Sequence, residues 1–201
     1  PAGPGHLLPG LSGEMAQDSP GKGTVGAVAG IYGGCSYGMD PPGDGEGVKG
    51  MILYHGSKGI VEYPVIRKSR FRMDFYFGFY CTPYYEQARR RAARYGRQGY
   101  VNRYDYTPDN SLNYLYFAEM TDEWLDFVSD CRNGKAHRYD IVEGPMADDT
   151  IFNHLQNYLD GKISRAAFWE LAKSKHPASQ ISFHSISALN TLCFADSETA
   201  H

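Results

Sequence analysis

The pattern of apolar and polar positions changes character at Met51. From there on, short runs rich in Tyr, Val, Ile and Phe predict strands over 51–55, 78–82, 100–106, 112–118, 138–142, 180–184 and 192–194. These runs alternate with segments of helical period, but without the strict strand-helix-strand repetition of a parallel sheet, so the pattern predicts an α+β fold. Alternation of period two puts Leu53 and His55 on one face of the first strand and Ile52 and Tyr54 on the other. By the same rule Tyr80 lies opposite Phe79, and Gln180, Ser182 and His184 lie opposite Ile181 and Phe183.

Four helices have recognisable starts. Thr82 followed by Pro83 predicts one whose Tyr84, Ala88, Ala92 and Tyr95 share a face and which Gly96 ends. Thr121 with Asp122 and Glu123 opens the next, directing Trp124, Leu125 and Val128 inward. A third begins near Asp148 and Asp149, whose carboxylates suit a helix N-terminus, buries Ile151, Leu155, Tyr158 and Leu159, and stops at Gly161. Ser164 caps a fourth, with Phe168 and Leu171 packing inward. No internal repeat or heptad run is present.

Composition separates the first 50 residues from the rest. Fifteen of the 23 glycines and six of the 11 prolines precede Met51. Without a sustained apolar period, such a stretch buries too little surface to offset the entropy of ordering it. Residues 1–50 are therefore read as a flexible tail, the alternative being a short packed element of Val25, Val28, Ile31 and Tyr32. Met51 is read as the natural start of the domain at 51–201, which makes the preceding residues a non-native addition.

Charge divides in the same way. Lys22 and Lys49 face five acids before Met51, a net −3, and the remaining 18 basic and 18 acidic residues balance. The domain therefore lacks a global field that would recruit nucleic acid. Cys35, Cys81, Cys131 and Cys193 form no C-x-x-C pair and have no histidine at zinc-ligand spacing, so they are read as buried or incidental thiols. Asp126, Asp140, Asp148 and Asp149 fit no oxygen-ligand loop, and no metal site is expected. The chain has neither an 18-residue apolar run nor a signal pattern, so no membrane partner is expected and the expected location is cytoplasmic.

The candidate chemistry lies in three segments: Leu53-Tyr54-His55-Gly56-Ser57, Asp74-Phe75-Tyr76-Phe77-Gly78-Phe79-Tyr80-Cys81-Thr82, and Gln180-Ile181-Ser182-Phe183-His184-Ser185. In this order they resemble the His, Tyr and Glu/Gln strand motifs of the ADP-ribosyltransferase superfamily, and most closely its bacterial domain-of-unknown-function family 3990. The resemblance implies an ADP-ribosyltransferase-like split β-sheet with flanking helices and a central cleft for NAD. It also implies that His55 bonds a ribose hydroxyl, that the Gly56 backbone holds the nicotinamide amide with Ser57 beside it, and that Tyr80 lies against the nicotinamide ring. Gln180 stands where many of these transferases have Glu. An amide can hold a ribose hydroxyl but brings no charge and cannot act as a base.

Two positions depart from the family pattern. Tyr76 replaces the first glycine of Asp-Phe-Gly-x-Gly-Phe-Tyr, and Arg91 stands where the family tends to have Trp. Arg91 can stack on a ring or pair with a pyrophosphate. It belongs to a basic run with Arg89, Arg90, Arg94 and Arg97 that reads either as a phosphate contact or as a solvated helix face.

The function implied is transfer of ADP-ribose from NAD to a protein, nucleic-acid or small-molecule acceptor. The rival is a non-catalytic nucleotide- or peptide-binding module on the same fold. Resemblance to small phage and bacterial proteins adds a toxin or defence effector controlled by a neighbouring protein, with the acceptor loop at about 174–179. Expressing residues 51–201 alone tests the domain boundary: the expected fragment melts cooperatively, and one that fails to fold shows that the preceding residues are structural.

Overall fold

The computed structural model describes residues 50–68, 73–147, 149–173 and 178–200. Residues 1–49 of the predicted tail, Asp148 and most of the 174–179 loop lie outside these residues. The α+β class is as expected, built from two sheets. In the first, β1 (Met51–Ser57) pairs antiparallel with β3 (Tyr100–Tyr106), and β3 with β7 (Leu192–Thr199). In the second, β6 (Ser179–Phe183) lies between β2 (Phe79–Cys81) and β5 (Ile141–Pro145), antiparallel to both, and β4 (Tyr114–Tyr116) joins β5 in parallel.

Alternation along the strands creates two separate cores. Leu53, Phe79, Tyr104, Tyr106, Ile181 and Phe183 meet between the sheets, closed by Ala188 and Leu189 of the short helix α5 (Ile186–Leu189). The opposite face of the second sheet carries Val142 and is covered by α2 (Asp122–Arg132), α3 (Asp149–Leu159) and α4 (Arg165–Ala172), which contribute Trp124, Leu125, Ile151, Leu155 and Phe168. Thr121 and Ser164 cap α2 and α4 as predicted, accepting from the backbone N–H of Trp124 and Ala167. Cys81 and Cys131 are buried free thiols, whereas Cys193 is disulfide-bonded, a state its spacing did not indicate. Among the described residues no helix is long and apolar enough to cross a membrane.

Several boundaries differ from the periodic reading. The first helix, α1 (Tyr85–Ala93), starts later than Pro83 because Thr82 is held extended by backbone bonds to Tyr54. The Thr82 hydroxyl still serves the turn, accepting from Tyr84 N–H at 3.2 Å. β5 runs beyond 142 to Pro145, where β6 continues to pair with it. β7 extends to Thr199 although Asp196, Ser197 and Glu198 show no apolar period: it is an edge strand, and its Asp196 pairs with Arg103 at 2.9 Å. On α4, Leu171 is 45% exposed and Ala172 takes the inward position.

α1 lies unusually close to the first sheet, because the surfaces in contact are small. Ala88 and Ala92 face Val101, and a β-carbon at Gly56 or Gly99 would collide with the Ala88 or Ala92 carbonyl oxygen. Gly99→Ala is expected to cost about 1–3 kcal/mol through this overpacking, read as a lowered midpoint in urea. Gly59→Ala, with open space around it, should stay within about 0.5 kcal/mol of the parent.

Candidate functional site

Among the described residues one backbone bridge joins the two sheets. Tyr54 N–H donates to the Thr82 carbonyl at 2.8 Å, and Thr82 N–H returns to the Tyr54 carbonyl at 2.9 Å. Backbone groups of every second residue point to the same strand edge, so Gly56 and Tyr80 turn their N–H and C=O into the gap beyond this bridge. There the pairing stops, and the imidazole of His55 takes its place. His55 Nδ1 lies 2.6 Å from the Tyr80 carbonyl oxygen, and the ring packs on Phe79 with centroids 4.5 Å apart.

A carbonyl oxygen only accepts, so the His55 proton sits on Nδ1. Burial pushes the imidazole below its ordinary range; the Tyr80 bond opposes this, and the nearby charges of Arg91 and Arg67 reinforce it. The ring is therefore neutral near pH 7, and Nε2 is an acceptor without a partner among the described residues. Below it, Asn102 is fully buried and braces the turn. Its amide donates to the His55 carbonyl at 3.2 Å and to Ser57 Oγ at 2.9 Å, while its oxygen accepts from Val61 N–H at 2.8 Å.

Tyr80 and Gln180 lie together on the other face of the second sheet, as alternation predicts, but both are tied into a buried network. Asp74 forms an ion pair with Arg132, whose Nε donates at 3.1 Å; both side chains are 7% exposed. The other Asp74 oxygen accepts from Ala147 N–H and from Gln180 Nε2, each at 3.0 Å. Gln180 is only 5% exposed. Its Oε1 has no partner among the described residues. The Tyr80 hydroxyl donates to the Tyr76 carbonyl at 2.6 Å and accepts from Phe75 N–H at 3.1 Å. Burial, reinforced by the Asp74 charge, pushes the Tyr80 phenol well above its usual range and keeps it protonated.

The loop at 73–78 covers this network under tension. Tyr76 has φ +72°, where glycine is favoured, a conformation costing about 1–2 kcal/mol for an L residue. That explains the glycine expected at this position, and the bond from Tyr80 with packing on Phe77 at 4.6 Å offsets the strain. Two histidines hold the loop: His137 Nε2 meets the Phe75 carbonyl at 3.0 Å, and His184 Nδ1 the Phe77 carbonyl at 2.9 Å. Gly78 permits the second contact, since a β-carbon there would lie 2.8 Å from the His184 ring.

The remaining predicted residues take supporting places. Ser57 Oγ donates to the Gly59 carbonyl at 2.7 Å, and Arg91 is exposed on α1 close enough to act on His55. The α-carbon side of Gly56 is filled by α1 rather than open to a ligand; only its backbone edge faces the gap. Asp74, Arg132, Asn102 and His137 were not singled out as site residues. Asp74 stood inside the quoted second segment, but nothing local marks a lone arginine near a helix end or an asparagine within a strand.

A family model described as "Protein of unknown function (DUF3990)" matches residues 51–194, which span all three segments. The chain belongs to the DUF3990 family. No curated protein and no solved structure matches it. A cavity of about 800 Å³ in this DUF3990 domain lies between Tyr84, Tyr116, Trp169, Glu119 and Glu143. It adjoins Gln180 through the neighbouring Ser179 but contains neither Gln180, His55 nor Tyr80. The cavity and the gap occupied by His55 are therefore lined by different residues.

Burial holds His184 down to about 4 and lowers His137 and His55 as well. These rings are neutral when folded, so the stability this supplies is present above the ordinary imidazole range and declines as pH falls toward the folded values. Titration by NMR should find His184 neutral down to about pH 4. His184→Asn should flatten the loss of stability between about pH 6.5 and 4.

Proposed function

We propose that this DUF3990 domain binds NAD at the gap between β1 and β2, on an ADP-ribosyltransferase-like fold, and transfers ADP-ribose to an acceptor. The reading is carried by the unused acceptors: His55 Nε2 and Gln180 Oε1, each on a largely buried side chain whose other polar atom is committed. Acceptors of this kind suit the hydroxyl groups of ribose. The Gly56 edge offers one N–H and one C=O together, the complement of a carboxamide. Arg67 and Arg91 bring positive charge to the His55 side, where a pyrophosphate would lie. A sheet split between its His strand and its Tyr and Gln strands is also what the family resemblance implies.

Within this reading the domain orients NAD for cleavage of the bond between nicotinamide and ribose. Gln180 accepts a ribose hydroxyl as positive charge develops on the sugar, and Tyr80 supplies an aromatic wall whose hydroxyl is already committed. No base is provided by Gln180, so the incoming nucleophile brings its own reactivity. One observation favours the rival, a non-catalytic nucleotide-binding module: the carboxylate nearest Gln180 is Asp74, and Arg132 already neutralises it.

Incubating the full chain with NAD and a cell lysate separates the two. The expected result is a rise in melting temperature with NAD, nicotinamide release, and labelled ADP-ribose on an acceptor. At a hundredfold excess over Kd the stabilisation is about 2.7 kcal/mol. His55→Ala should lose most of both effects while remaining folded. A melting shift without release would establish the binding module; neither effect would overturn the NAD reading.

A further inference from the structure

We infer that Asp74 is the positioning residue of the cleft, fixing the orientation of the Gln180 amide and making glutamine the side chain that position 180 can hold. The ligand part of this inference rests on the proposed NAD reading; the coupling of the two residues does not.

The geometry leaves one arrangement. An ionised carboxylate accepts and cannot donate, so the end of the Gln180 amide 3.0 Å from Asp74 Oδ2 is the NH₂ end. Its carbonyl oxygen is thereby turned away from Asp74 and left without a partner among the described residues. Free rotation of that amide would present a donor as often as an acceptor; Asp74 removes the donor alternative. Asp74 cannot itself turn away, because Arg132 holds one of its oxygens and Ala147 N–H shares the other.

The same contact forbids glutamate at 180. Two carboxylates at that separation, both nearly shielded from water, cannot both ionise, and Arg132 offers one positive charge to share between them. A glutamate would either hold a proton or expel the Asp74 bond that anchors the loop at 73–78. Position 180 is therefore neutral because of a residue 106 positions away.

Four full-length proteins test this: the parent, Asp74→Asn, Gln180→Glu, and the double exchange that moves the carboxylate from 74 to 180. Melting is followed from pH 4.5 to 8, and NAD affinity by calorimetry. Gln180→Glu should lose more melting temperature at pH 8 than at pH 4.5, because a carboxyl with a raised folded pKa is stabilised only while protonated. The double exchange should remove that pH dependence and melt above the sum of the two single losses. Asp74→Asn should weaken NAD binding about tenfold, near the upper worth of one neutral hydrogen bond. Leu192→Ala, which loosens the other core, should lower the melting temperature without that loss of affinity. The inference is overturned if Gln180→Glu melts like the parent at every pH, if the single losses simply add, or if Leu192→Ala weakens NAD binding as much as Asp74→Asn. Coupled melting in a parent that does not bind NAD would retain the Asp74–Gln180 coupling and overturn the functional reading instead.

Discussion

The two hydrogen bonds between Tyr54 and Thr82 are the only backbone pairing between the sheets among the described residues, and the site depends on where that pairing stops. Had β1 and β2 continued to pair, Gly56 and Tyr80 would have spent their backbone groups on each other. Instead His55 enters the gap and satisfies the Tyr80 carbonyl with its own N–H. One side chain thus ends the ladder, fixes its own tautomer, and leaves Nε2 and the Gly56 edge available.

Cost is concentrated on the other face. A buried ion pair is weak as a source of stability but strict in geometry, since removing either partner strands a charge. Asp74 and Arg132 use that strictness to tie together the loop at 73–78, α2, Ala147 just beyond β5, and Gln180 on β6. Tyr76 in its left-handed conformation is tolerated because Tyr80 and the histidine contacts hold both sides of it. Strain and buried charge meet within a few residues of the proposed ligand groups, where preorganisation has a use.

Much of the fold was legible from local pattern. The strand over 100–106, the faces of Tyr80 and Gln180, the caps Thr121 and Ser164, and the buried stripe of α3 all follow from a period or a cap that a few adjacent residues define. Boundaries failed where a distant partner decided them. Thr82 delayed α1 because Tyr54, 28 residues earlier, holds it extended, and β7 outran its apolar pattern because β3 supplied a full row of backbone partners.

The sequence by itself determined which side chains share a face and which segments carry polar groups, because alternation and helical period are properties of neighbouring residues. Only the tertiary structure decided what those groups could do. It made the α-carbon side of Gly56 a contact surface for α1, and committed the Tyr80 hydroxyl to its own loop. It also placed a carboxylate against Gln180. Each of these is set by a through-space contact in a poorly solvated site, where one misplaced charge or methyl costs more than any local preference supplies.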